Sequence, residues 1–143
     1  MPEYDATTLQ SITDRYEITN PYLIRMHKEA EEIQKFIEIP ACLEDPASLT
    51  YRLRDMSAYM ARLGDMLCRA KSMKECAKNA FLSANMDKLA KLNTTEKTRI
   101  ISAYVSEFSI TYDRLELLYS TIKDLNRDLI TQISYIKQQM SLG

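Results

Sequence analysis

Glycine is almost missing from this 143-residue chain, which carries Gly64, Gly143 and no other. Only glycine lets a backbone wrap closely around a phosphate, so a phosphate-cradling loop needs several of them close together. P-loop and dinucleotide-binding sites are therefore excluded. Proline is scarce too, with Pro2, Pro21, Pro40 and Pro46 all in the first third. So few turn residues exclude a sheet of many strands joined by tight turns. No window approaches about 18 uninterrupted apolar residues, which excludes a membrane-spanning helix. The first ten residues lack a basic stretch followed by an apolar one, so they do not read as a signal peptide. Cysteine occurs three times, at Cys42, Cys68 and Cys76. An odd number without framework spacing suits a reducing compartment, and the expected location is cytoplasmic. Cys68 and Cys76 fall on one predicted helix, about 12 Å apart along its axis, too far for a disulfide.

What is present is helical. Hydrophobic residues make up 45% of the chain, and 19 bases face 20 acids, as in a soluble globular protein. A helix is expected from Ala6 to Thr19, capped by Asp5, with Leu9, Ile12 and Tyr16 on one face. A second begins at Asn20-Pro21, a cap followed by proline, and runs to about Glu38, with Leu23, Met26, Ala30, Ile33 and Ile37 as its stripe. A third starts at Asp45-Pro46 and continues to Asn85. Its apolar row, Leu49, Leu53, Met56, Met60, Leu63, Leu67 and Ala70, alternates steps of 4 and 3 and extends through Lys74 to Ala77 and Phe81. Lys74, the polar interruption, reads as a lysine that sets helix register. Gly64 beside this row is expected to admit a close neighbour.

A fourth helix is expected from the capping box Asn93–Glu96 to about Ser141. Its row runs Ile101, Tyr104, Phe108, Thr111, Leu115, Leu118, Ile122, Leu125 and Leu129, then Ile133, Ile136 and Met140 after a stutter. The short connector between Asn85 and Asn93 makes the two long helices antiparallel neighbours. The expected fold is all-α in a single domain, residues 1–143. A short acidic N-terminal helical region (1–44) precedes a long antiparallel hairpin (45–143) with coiled-coil-like seams, associating into a helical bundle.

The chemistry-bearing residues are few. His27 is the sole histidine, so a catalytic triad would have to use it, and no partner lies nearby in sequence. A di-iron bundle needs two Glu-x-x-His motifs, and zinc would need cysteines better placed than these. His27 therefore reads as a partly exposed helix histidine. The carboxylates Glu29, Glu31, Glu32 and Glu38, and the pair Asp124 and Asp128, read as solvated helix faces. No catalytic residue, metal ligand or cofactor site is expected, and the chain is not expected to be an enzyme.

Charge is laid out unevenly. Residues 1–46 hold ten acids and four bases, whereas residues 69–99 hold eight bases and three acids. The bases, Arg69, Lys71, Lys74, Lys78, Lys88, Lys91, Lys97 and Arg99, gather at the closed end of the expected hairpin. They are candidate contacts for nucleic acid or another anionic ligand, or for the acidic N-terminal region of the same or a neighbouring subunit. Phe81 is the aromatic among them, so no stacking platform for single strands is indicated.

Apolar residues outside the two rows suggest further neighbours for both long helices. Tyr59, Met66, Met73, Tyr112 and Tyr119 are the candidate oligomer interface, and a homo-oligomer of two or more copies is expected. The stretches Leu115–Ser141 and Tyr59–Phe81 resemble small helical proteins encoded by tailed phages and prophages. That resemblance implies an accessory or anti-defence role and supplies no catalytic residues. The expected function is binding of a partner macromolecule by a self-associating helical protein, or alternatively binding of nucleic acid or an anionic ligand by the basic end.

Overall fold

The computed structural model describes residues 18–40 and 45–142. Among them every regular element is a helix: α1 (Pro21–Glu38), α2 (Pro46–Ala84), α3 (Met86–Leu89), α4 (Thr94–Tyr104) and α5 (Ser106–Leu142). The helix expected over Ala6–Thr19 lies almost wholly outside the described residues, as does Cys42.

The expected caps start the helices. The Asn20 side chain accepts hydrogen bonds from the Tyr22 and Leu23 amides, Asp45 accepts from the Ala47 amide, and Asn93 with Glu96 closes a capping box. Part of each expected apolar row is buried, while Leu53, Met60 and Leu67 of the third expected helix are only half-buried. Leu23, Ala30 and Ile33 of α1, Leu49, Met56, Leu63 and Ala70 of α2, and Leu115, Leu118, Ile122 and Leu129 of α5 belong to one shared core.

The hairpin is antiparallel. Tyr119 lies against Gly64, where an added Cβ would stand 3.8 Å from its ring, and Tyr104 stacks on Phe81 with ring centroids 4.3 Å apart. The 3.8 Å at Gly64 is an ordinary van der Waals distance, so no approach there requires glycine, contrary to the expectation of a close neighbour. At 1.5 Å per residue, α2 and α5 are each about 55 to 60 Å long, whereas α1 is about 27 Å. α1 therefore covers only part of the hairpin.

The expected fourth helix is broken. Val105, at φ −95° and ψ 9°, leaves helical geometry between α4 and α5 and is buried. No glycine or proline marks the break. Burial of Val105 moves the inward row to Ile101 and Val105 and turns Tyr104 out, so Tyr104 is exposed and not the expected core residue.

Candidate functional site

α1 is held by charges at both ends, supplied by the two hairpin helices. At its N-terminus the Glu107 carboxylate of α5 accepts from the Thr19 and Asn20 amides, the latter at 2.6 Å. At its C-terminus the Arg52 guanidinium of α2 donates to the Phe36 and Ile39 carbonyls at 3.0 and 2.6 Å and lies over the Phe36 ring. An anion at the positive end of a helix dipole and a cation at the negative end are both favourable, so the pair also sets the direction of α1. Arg62 of α2 adds two hydrogen bonds to Glu29 of α1.

Between these ends lies a buried polar chain. His27 is buried, which corrects the expectation of a partly exposed histidine. Arg114 Nη1 is 2.7 Å from His27 Nδ1, and His27 Nε2 is 2.8 Å from Thr111 Oγ1. Arginine can only donate, so Nδ1 accepts and the proton of the neutral ring sits on Nε2, donating to Thr111. Thr111 in turn donates to the Glu107 carbonyl at 2.9 Å. Burial, and then the Arg114 charge, push the His27 pKa down to about 4, with Glu107 opposing weakly. Burial likewise lowers the Arg114 pKa, against the opposing pull of Glu31. The chain fastens α1 to α5. Spacing along the sequence could not reveal it, because its members are over 80 residues apart in the chain.

The two flanks of the hairpin differ. On α2, Arg52, Tyr59, Met66 and Met73 recur every seven residues on the side of α1. Tyr59 packs on Phe36 with centroids 4.7 Å apart, Met66 is buried, and Met73 lines a groove with Tyr22 and Met26 of α1. Tyr59, Met66 and Met73 are thus turned to α1 of the same chain. Tyr119 of α5 lies beside Gly64 on the other flank, with Tyr112 seven residues before it on the same side of α5. There Leu53, Met60 and Leu67 of α2 face the same way, half-buried, with Tyr112, Tyr119 and Asn126 of α5 and the exposed Ile130. The Asn126 Oδ1 is buried with no hydrogen-bond partner among the described residues.

The basic residues do not form one patch. Arg69 pairs with Asp65 at 3.1 Å, in the groove of about 730 Å³ between α1 and α2. Lys71, Lys88, Lys91 and Arg99 are exposed, and Lys97 is half-buried. Lys74 and Lys78 are half-buried and line a second groove, of about 310 Å³, with Glu75, Thr98, Ile101, Ser102, Val105 and Ser109. Among the described residues none of these six lysines nor Arg99 has a carboxylate within 4.0 Å. The closed end and the acidic α1 are not paired by any salt bridge among those residues.

No group of three or more potential metal ligands occurs among the described residues, and no helix among them is long and apolar enough to cross a membrane. Cys68 and Cys76 are both free and exposed. Compared with protein-family models, with curated proteins and with solved structures, the chain has no match.

Proposed function

We propose that the protein acts by binding and not by catalysis, and that the hairpin flank facing away from α1 pairs with a second copy of the chain to form the scaffold that a partner macromolecule recognises. The observation that carries this reading is the asymmetry of the two flanks. One seven-residue column of α2 is covered by α1, whereas its twin, Leu53, Met60 and Leu67, shares an apolar face with Tyr112, Tyr119 and Ile130 and has no helix over it among the described residues. From Tyr112 to Ile133 the face is about 30 Å long, and two helices make it about 20 Å wide. On the order of 600 Å² per copy approaches the ~800 Å² per partner of a standard interface.

The test is molar mass by sedimentation equilibrium at micromolar concentration. A mass of at least twice 16.6 kDa is expected, returning to 16.6 kDa in Ile130→Glu, a change at an exposed position that leaves the fold intact. A wild-type monomer, or an Ile130→Glu variant of unchanged mass, refutes the reading.

A further inference from the structure

We infer that the groove at the closed end of the hairpin, where Lys74 and Lys78 of α2 face Ser102 of α4 and Ser109 of α5, binds a phosphate group. Lys74 and Lys78 stand four residues apart on one face, both half-buried. Two ammonium groups so placed repel each other, and partial burial weakens the screening by water. Among the described residues no carboxylate is within salt-bridge distance of either. Glu75 also lines the groove, and its single charge against two lysines leaves the groove net positive.

The opposite wall supplies donors. Thr98 spends its hydroxyl proton on the Thr94 carbonyl at 2.9 Å, but Ser102 and Ser109 make no side-chain hydrogen bond within the described residues and open into the groove. The break at Val105 builds this wall. Hydroxyls from α4 and α5, on either side of the break, line one hollow together with Ile101 and Val105. Two lysines and two free hydroxyls around about 310 Å³ suit the tetrahedral oxygens of a phosphate. In the larger groove between α1 and α2, Arg62 and Arg69 are already paired with Glu29 and Asp65, and Arg25 lies over the Tyr22 ring. Lysines bind phosphate as point charges and read no base edges, so the site takes phosphate chemistry whether carried by a nucleic-acid backbone or by a free nucleotide.

The experiment uses the full chain with four probes: short labelled duplex DNA, the same strand alone, a nucleoside triphosphate and inorganic phosphate. Binding of at least one is expected. Oligonucleotides alone binding identifies a polymer backbone as the source, and binding of the small probes as well identifies the phosphate group itself. Lys74→Gln with Lys78→Gln should weaken binding at least tenfold, and Lys88→Gln with Lys91→Gln should leave it nearly unchanged. With two phosphates neutralised, duplex affinity should fall about tenfold between roughly 50 and 200 mM salt. Should the groove double variant melt early, Ser102→Ala with Ser109→Ala provides the second reading, with a several-fold loss expected. Failure of every probe to bind the wild type overturns the inference. So does equal weakening by the two lysine pairs, the mark of diffuse charge.

Discussion

Acidification tests how α1 is held more sharply than any truncation would. His27 enters the fold neutral, because Arg114 donates to Nδ1 and leaves no room there for a second proton. Its folded pKa is about 4 against an ordinary value of 6.5. Between those two values the unfolded chain binds nearly one more proton than the folded one, so stability must fall as pH falls. The contribution is complete above about pH 6.5, declines through the window down to about 4 and is gone below it. At about 1.4 kcal/mol for each unit of pH, the total is about 3 kcal/mol, or about 2 to 3 once water at the edge of the core is allowed for.

That is a large share of the ~5–15 kcal/mol by which a domain of this size is stable. Acid also protonates carboxylates in general, so the wild-type curve alone is ambiguous. His27→Gln removes the titration while keeping an acceptor for Arg114 and a donor for Thr111. Urea unfolding of both proteins from pH 7.5 to 4 should show the wild type losing about 2 to 3 kcal/mol more than the variant, with the divergence beginning near pH 6.5. Parallel curves would refute the account, and would mean that His27 meets solvent and that Arg114 does not donate to it.

Two further outcomes follow from the hairpin. Leu63→Asp places a carboxylate at a position with no exposure, at a cost of several kcal/mol, and should abolish cooperative thermal unfolding followed by circular dichroism; near wild-type melting would place Leu63 outside the core. Gly64→Ala should stabilise the protein by about 1 kcal/mol and raise Tm by roughly 3 °C, since helix propensity improves and the new methyl would lie 3.8 Å from the Tyr119 ring, an ordinary contact; a lower Tm would show that Tyr119 must pack closer than this.

The helices were legible in the sequence because their causes are local. Asn20-Pro21, Asp45-Pro46 and Asn93–Glu96 mark three starts within a few residues each, and the alternating steps of 3 and 4 mark the buried face without reference to any partner. The antiparallel hairpin followed from the shortness of its connector. Three things required the tertiary structure. Which flank of α2 is covered depends on where α1 docks. That docking rests on Glu107, Arg52 and the His27–Arg114–Thr111 chain, contacts between residues brought together only by folding. So Tyr59, Met66 and Met73, which by spacing are equivalent to Met60 and Leu67, end against α1 while their twins do not. The break at Val105 has no breaker residue to announce it, and arises because burying Val105 in place of Tyr104 suits the packing at the closed end. A periodic pattern specifies that a helix has an inward face. Which neighbour meets each side of that face is decided by the charges and volumes of residues far away in the chain.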